Sequence, residues 1–259
     1  MILIDAHQHF WRYDADAYPW MGDGMDVLQR DRLPPDLRPL LDAQGIDACI
    51  AVQARADEAE TDFLLALADD HDWIAAVVGW VDLRAVDLHA RLARWDGRAK
   101  LAGFRHLLQD DSDVAATLGD AAFNRGARHD RHWLVLDHLG KPAIGGGEDA
   151  AWRKALAELA TLPHVACKLS GLVTEVLGER IQADAIRRYL DTALELFGPR
   201  RLLFGSDWPV CLLRADYAEV AGLVADWSQA LSADEHAALW GGNAVRCYRL
   251  PRDETARND

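Results

Sequence analysis

The sequence predicts an α/β fold in which strand–helix units repeat around a parallel sheet. Seven short apolar segments, rich in β-branched residues, recur along the 259 residues, and segments of helical periodicity separate them. Most of the seven are almost continuously apolar, which is typical of strands buried on both faces of a parallel sheet. Polar side chains gather directly after these segments. Together these observations favour a parallel sheet covered by helices, with a site where its strands end.

The predicted elements follow one another regularly from the N-terminus. The first four strands are "ILIDAH", "ACIAVQ", "IAAVVGWV" and "LAGFRHLL", and the helix "EAETDFLLALADDH" lies between the second and the third. The last three strands are "WLVLDH", "VACKLS" and "RLLFGSDW", separated by the helices "DAAWRKALAELATL" and "DAIRRYLDTALELFG". Two further helices, "DYAEVAGLVADWSQAL" and "SADEHAALWGGNAVRCYRL", follow, and Ser232 and Glu235 form a capping box at the start of the second.

Length and composition fit one domain with a large core, because half of the residues are hydrophobic. We expect residues 1–250 to form this domain and the polar residues 251–259 to form a C-terminal tail. No stretch has the length of an apolar membrane span, and the first residues lack the pattern of a secretory leader. Four widely spaced cysteines form no CxxC pair, which fits reduced thiols. A cytoplasmic protein is therefore expected.

The charge balance restricts the partners. A formal net charge of −14 at pH 7 repels nucleic acids and anionic membranes, so we expect neither as a partner. The same charge gives no general attraction for an anionic substrate, whose recognition would need local arginines or lysines. A neutral small molecule is the more compatible ligand, and the sequence leaves a homo-oligomer open.

The polar residues of greatest interest stand where the predicted strands end. His7 and His9 alternate with Gln8, so both imidazoles point to the same face of the first strand. The later strands end in Gln53, in Trp80 and Asp82, in Arg105 and His106, in Asp137 and His138, in Lys168 and Ser170, and in Asp207. Buried ionisable groups cost free energy unless they are paired or used, so this repeated placement indicates a catalytic site.

Six motifs occur together between residue 4 and about residue 210: "IDAHQHFWRYDADAYPWM", "VQARADEAETDFLLALAD", "VVGWVDL", "GFRHLLQ", "LDHLGKP" and "LFGSDWPV". With these motifs the chain resembles the amidohydrolase superfamily, and more narrowly its sugar-acid lactonases, the L-fuconolactonase and L-rhamnonolactonase group. The resemblance implies a (β/α)8 TIM-type barrel, hydrolysis of a cyclic ester, and an active site at the carboxyl ends of the strands.

The chain departs from this group near residues 124–132. Relatives carry a further strand and helix between the segments that match "AAFNRG" and "WLVLDHLGKP", whereas only "ARHDRH" joins them here. The periodicity likewise gives seven strands where a barrel of this type has eight. We therefore expect a perturbed barrel, open or narrowed at this position. Asp207, His7 and His9 should still assemble, because they come from the adjacent first and last strands.

Ester hydrolysis needs a nucleophilic water, a polarised carbonyl and a proton for the leaving alkoxide. Asp207 matches the catalytic aspartate of the group and is expected to act as the general base. His7, His9 and His138 can hold one divalent metal with Asp207, zinc being the expected ion, or they can polarise the carbonyl directly. The spacing leaves both a metal-dependent and a metal-independent reaction open.

Substrate-binding roles are expected for residues around this centre. Arg105 is the predicted clamp because its guanidinium can bind a carbonyl or hydroxyls, the alternative being a salt bridge inside the barrel. Gln53 and His106 suit the recognition of hydroxyl groups. The candidates for packing against a sugar ring are Trp11, Trp20, Trp80 and Trp208, of which at most two are expected to do so because a core position is the commoner outcome for tryptophan.

The favoured function is hydrolysis of a neutral sugar-acid lactone, such as L-fucono- or L-rhamnonolactone. Two alternatives stay open, namely a metal-dependent decarboxylase of the same superfamily and an impaired barrel kept for binding. A decarboxylase would need a metal and an anionic substrate, whereas a neutral lactone suits an acidic protein. The shortened segment near residues 124–132 supports the alternative of an impaired barrel kept for binding, because a missing unit can leave the substrate pocket incomplete.

Overall fold

The computed structural model describes residues 2–127, 133–147 and 149–251. All seven predicted strands form within these ranges. They are β1 (Ile4–Gln8), β2 (Ala48–Val52), β3 (Ile74–Gly79), β4 (Leu101–Phe104), β5 (Leu134–Leu136), β6 (Val165–Leu169) and β7 (Leu202–Phe204). Every paired neighbour is parallel, so the predicted α/β class is confirmed. Apart from Pro251, the predicted tail lies outside the described residues.

Helices connect the strands, as the sequence predicts. They are α1 (Pro34–Ala43), α2 (Glu58–Asp70), α3 (Leu88–Leu92), α4 (Val114–Gly119), α5 (Ala121–Ala127), α6 (Ala150–Ala160), α7 (Ala183–Phe197), α8 (Tyr217–Ser228), α9 (Ala233–Ala237) and α10 (Asn243–Cys247). A π-helical turn at Ala238–Gly242 joins the last two. The predicted capping box is present at the start of α9, where the Glu235 carboxylate accepts from the Ser232 amide at 2.9 Å. None of the helices described is long and apolar enough to cross a membrane.

The strands form two sheets with the orders β1-β2-β3-β4 and β5-β6-β7. A parallel bridge between Gln8 and Trp208 connects β1 to the segment after β7. Two backbone hydrogen bonds reinforce this seam, from His9 N to Trp208 O at 2.7 Å and from Asp207 N to His7 O at 2.8 Å. The sheet is therefore continuous across the chain's first and last strands.

On the opposite side, no strand pairing joins β4 to β5 within the ranges described. This break lies where the sequence predicts a missing strand and helix. Of the segment near residues 124–132, residues up to 127 belong to α5, and residues 128–132 lie outside the described part. The seven described strands thus form a parallel barrel-like sheet that is interrupted between β4 and β5.

The core has an inner and an outer layer. Small and branched side chains fill the inside of the sheet, and α10 packs against them with Ala244 and Cys247. Larger side chains from the helices cover the outside of the strands. All four cysteines are free and buried, as the sequence predicts. Since apolar residues occupy the interior, the polar groups lie beyond it, at the carboxyl ends of the strands.

Candidate active site

A buried aspartate, Asp5, fixes β1 to the segment that follows β7. Its Oδ1 accepts hydrogen bonds from the amides of His7 at 3.1 Å and Ser206 at 2.9 Å. Its Oδ2 accepts from the Tyr217 hydroxyl at 3.0 Å. Burial raises the pKa of Asp5, although these hydrogen bonds oppose the shift. By binding the backbone amides of His7 and Ser206, Asp5 therefore keeps His7 next to Asp207.

Three side chains meet at the β1–β7 seam. The Nε2 atoms of His7 and His9 are 3.2 Å apart, and Asp207 Oδ1 lies 3.6 Å from the first and 3.3 Å from the second. His138 Nε2 lies 3.9 Å from the same Asp207 oxygen. The structure thus brings together all four residues predicted to be catalytic.

Unusual backbone positions at Asp207, Gly205 and Gly171 allow these four side chains to come together. Asp207 adopts a φ of 60°, a left-handed conformation that is uncommon for a residue with a side chain. A Cβ on Gly205 would lie 2.6 Å from the Cβ of His7, and a Cβ on Gly171 would lie 2.5 Å from Nδ1 of His138. Glycine is therefore required at both positions for the imidazoles to occupy their places.

The Nε2 atoms of His7 and His9 face one another. His9 Nδ1 lies 2.8 Å from the carbonyl oxygen of Val52, which can only accept, so Nδ1 carries a proton and the opposite ring nitrogen, Nε2, faces His7. Burial and the charge of Lys168 hold the pKa of His7 well below its ordinary value, so its ring is neutral at pH 7. A carboxylate oxygen completes this electron-rich group, which needs a cation or a proton at its centre.

The spacing of these atoms fits a metal ion. Two ligands of a tetrahedral zinc ion, each at ~2.0–2.1 Å from the metal, are separated by about 3.4 Å. The donor atoms of His7, His9 and Asp207 lie within 0.2 Å of that separation from each other. A second possible set, His7, Asp137 and His138, shares one histidine with the first.

A buried ion pair, Lys168 with Asp137, supports His7 from the other side. Lys168 Nζ lies 3.0 Å from Asp137 Oδ1 and 3.0 Å from His7 Nδ1, and its side chain is 2% exposed. Burial acts to lower the pKa of Lys168, but Asp137 and Tyr248 outweigh it, and the pKa is raised. Burial likewise acts to raise the pKa of Asp137, yet Lys168, His7 and Arg105 hold it well below its ordinary value. Both groups are therefore charged.

Arg105 enters the same cluster from the end of β4. Its Nη1 lies 3.4 Å from both His7 Nε2 and Asp137 Oδ2, and its Nη2 donates to the Gln53 carbonyl at 2.8 Å. Its Nε is buried and has no hydrogen-bond partner among the residues described. Of the two roles expected for Arg105, the ion pair inside the barrel is present.

Other predicted substrate contacts are engaged within the protein, although His106 also lines the cavity next to Arg105. His106 points to Asp111, with Nε2 3.0 Å from Oδ2, and its ring packs on Phe123. Trp11 is fully buried and donates to the carbonyls of Leu28 and Arg30, which corrects its expected place at a pocket rim.

Trp208 is also corrected, since it is 1% exposed and packs in the core at 6.2 Å from the ring of Phe10. Trp80 is half-buried after β3, with its backbone tied to Thr61. Trp20 stands at the surface, its ring edge-on to Trp11. Two of the four tryptophans therefore pack in the core.

Residues that the sequence left unassigned complete the cluster. Ser170 Oγ lies 2.9 Å from His138 Nδ1 and orients that ring, while burial lowers the pKa of His138. Asp5, Asp137 and Lys168 also were not among the predicted site residues. Asp137 stands directly before His138, and the sequence indicated its position at a strand end without assigning it a role. Lys168 lies in a strand that is buried along its whole length, so its sequence does not show which side chains point to the inside of the barrel.

Comparisons with known proteins agree with this geometry. The amidohydrolase family model matches residues 121–250. An L-fucono-1,5-lactonase from Burkholderia multivorans is 55% identical over 293 aligned positions that cover 99% of each chain. Another from Burkholderia ambifaria is 36% identical, with 96% of each chain covered. A crystal structure of a Burkholderia multivorans amidohydrolase with bound zinc has a TM-score of 0.92 and 55% identity, and covers 97% of this chain and 100% of its own.

The alignment with the Burkholderia multivorans lactonase also shows a difference in length. Since this chain has 259 residues, at least 34 of the 293 aligned positions have no residue here. A strand–helix–strand unit takes roughly 30 residues or more. The difference in length therefore equals about one unit of the barrel.

Proposed function

Since the chain belongs to the amidohydrolase family, we propose that it opens the ring of a sugar-acid lactone, an aldonolactone such as L-fucono- or L-rhamnonolactone. The observation that carries this proposal is the meeting of one carboxylate oxygen of Asp207 with three imidazoles, all within 3.9 Å. Such a site has the base and the polarising donors that ester hydrolysis needs. The whole-length similarity to two lactonases supports the same reaction.

In this reaction Asp207 takes the proton of the attacking water. Burial acts to raise the pKa of Asp207, but His138, His9 and His7 outweigh it and hold the pKa below its ordinary value, so the carboxylate is ionised at neutral pH. The water oxygen bonds to the lactone carbonyl carbon, and the bond to the ring oxygen then breaks. Asp207 returns its proton to the departing alkoxide, and the product is the open hydroxy acid.

The remaining residues position and polarise the substrate. His138 directs Nε2 toward the reaction centre because Ser170 binds its other nitrogen. The Arg105 guanidinium, whose Nη1 lies 3.4 Å from His7 Nε2, stands beside the reaction centre and serves the carbonyl or a hydroxyl of the ring. Gln53 holds the guanidinium by accepting from Nη2 at its backbone carbonyl.

The metal site is part of the proposal. His7, His9 and Asp207 would hold a divalent ion, with zinc the best match to two imidazoles and a carboxylate. Such an ion, when bound, lowers the pKa of a water toward ~7 and so supplies a nucleophile at neutral pH. A relative with bound zinc supports this choice.

The charges of the site favour a neutral substrate. Arg105 and Lys168 both contact Asp137, and Lys141 forms an ion pair with Glu175. Asp207 supplies the second carboxylate of this cluster, so the formal charges of Arg105 and Lys168 are balanced by those of Asp137 and Asp207. Phosphate or a second carboxylate would need a cation in excess, so a neutral sugar lactone is the better ligand.

A pH-indicator assay over a panel of aldonolactones, run with and without a chelator, tests the proposal. We expect faster acid release from neutral sugar lactones than from phosphorylated or dicarboxylic ones. The decarboxylase alternative instead predicts carbon dioxide release from an unsaturated acid and no acid release from lactones. A binding barrel without activity predicts neither, and either of these results would replace the proposal.

A further inference from the structure

A cavity of about 510 Å³ lies between β4 and β5, where the two strands are not paired. Its walls are mostly apolar. They include Val78, Ala102, Phe104, Leu108, Val114 and Leu134. Val114 and Leu134 are 39% and 40% exposed, so apolar surface remains at the mouth. We call this cavity the β4–β5 cleft.

The β4–β5 cleft opens directly onto the candidate active site. Arg105, Asp137 and His138 line the same cavity as the apolar residues. Because each of them follows the strand that forms a wall, the cleft runs from the catalytic cluster along β4 and β5. A ligand whose carbonyl reaches His138 therefore has apolar space beside it.

The shape of the cleft indicates what it holds. Cavities of ~300–1,000 Å³ accommodate drug-sized ligands, which exceed one sugar ring. Covering an exposed apolar wall with apolar atoms is favourable, at roughly 25 cal/mol per Å². Gly103 lines the cleft, and a Cβ there would meet no atom within 4 Å, which shows open space along β4.

We propose that the β4–β5 cleft is a subsite for an apolar substituent, an alkyl or aryl group, carried by the lactone substrate. This inference rests on the proposed hydrolysis for the position of the lactone ring, but the cleft itself is defined by its own lining. The enzyme then accepts lactones with an apolar tail as well as plain sugar lactones. The hydrolytic step is unchanged, because the tail lies away from Asp207.

The test uses two pairs of compounds. One is a hydroxylated lactone with and without a butyl chain, and the other is the corresponding pair of lactams, which resist hydrolysis. Calorimetry of the lactams measures the cleft, and turnover of the lactones measures the reaction. We expect the butyl lactam to bind at least ~10-fold more tightly than the plain one, since each buried CH₂ contributes up to ~4-fold.

Two variants close or alter the cleft, and each has a matched control. Gly103→Leu fills the open space, whereas Gly222→Leu makes the same change at another glycine with no atom within 4 Å of its Cβ. Leu134→Gln makes the mouth polar, whereas Leu177→Gln changes an exposed leucine outside the cleft. We expect the two cleft variants to lose the preference for the butyl lactam and to hydrolyse the plain lactone within about twofold of the wild type.

The outcomes separate the two proposals. If neither lactone is hydrolysed but the butyl lactam binds preferentially and only the cleft variants abolish this, the subsite stands and the proposed reaction fails. Equal affinity for both lactams, binding of neither, or equal loss in the control variants overturns the subsite, whatever the turnover.

Discussion

Replacing Lys168 by methionine is expected to destabilise the protein strongly. The change keeps an unbranched chain of similar length but removes the ammonium 3.0 Å from Asp137 Oδ1, in a place where the side chain is only 2% exposed. Asp137 then keeps its charge in a buried site without its main partner. A largely buried carboxylate that loses its main partner is destabilised by several kcal/mol, because the unfolded chain exposes the same group to water.

The magnitude follows from the contacts of Asp137. At 3.0 Å and an effective dielectric constant of ~20, the attraction between the two charges is about 5–6 kcal/mol before desolvation. Removal of one partner of a buried pair typically costs ~3–5 kcal/mol. Asp137 retains His7 at 3.3 Å and Arg105 at 3.4 Å, so we expect about 3 kcal/mol, at the lower end of that range.

Urea unfolding followed by tryptophan fluorescence measures this loss. Lys168→Met, Asp137→Asn and the double variant are compared with the wild type, all with a chelator so that bound metal adds no stability. We expect the double variant to be about 2 kcal/mol more stable than the sum of the single losses predicts. A loss below about 1 kcal/mol for Lys168→Met, or strictly additive losses, would refute the assignment of an essential charge pair.

Three further outcomes are expected. Asp207→Asn should reduce lactone turnover ~10²-fold or more while the far-UV circular dichroism is retained, and activity within a few-fold of the wild type would remove Asp207 from its role. Glu60, whose pKa burial raises from 4.5 to about 7, binds more protons in the folded state between these values, so the free energy of unfolding should fall by up to ~3 kcal/mol as the pH rises through this window. Glu60→Gln should show a smaller fall in urea titrations at pH 5 and pH 8, and an unchanged slope would contradict the assignment. Chelation should lower the thermal midpoint of the wild type but not that of His9→Ala, and an equal effect on both would argue against metal at this histidine.

The strands were predictable because their signal is local. Parallel strands buried on both faces are continuous apolar runs, and all seven were found from that property. Helix α1 was not predicted, because Pro39 lies inside its sequence "PPDLRPLLDA" and a proline in a helix interior normally interrupts the helix, whereas the first two prolines stand in the first turn, where they are tolerated. Tertiary packing of Leu37 and Leu41 outweighs this local preference.

The candidate site was predictable only in part. His7, His9 and Asp207 stand at strand ends, where fold geometry alone brings them together. The partners Asp5 and Lys168 act over long separations, since Lys168 meets His7 across 161 positions and Asp5 meets Tyr217 across 212. No sequence pattern reports such pairings.

For the tryptophans, the sequence predicted site residues that the structure places in the core. Trp11 and Trp208 stand beside strand ends, as a substrate-stacking residue would, but their rings pack in the core. An indole is large enough that burial alone stabilises it. The position of a tryptophan in the sequence therefore does not distinguish a core residue from a residue that lines the pocket.

The seam between β1 and β7 determines when the catalytic cluster can form during folding. Its hydrogen bonds join Asp5 to Ser206 across 201 positions, so they close most of the chain into one loop. Contacts of such separation form slowly, because the entropy of closing the loop is lost before the contacts stabilise it. During synthesis on the ribosome, His7 and His9 are made long before Asp207, so they have no carboxylate partner from the last strand until Asp207 has been added. A chain that ends before Asp207 can therefore contain all seven described strands and helices α1 to α7 and still have no catalytic centre.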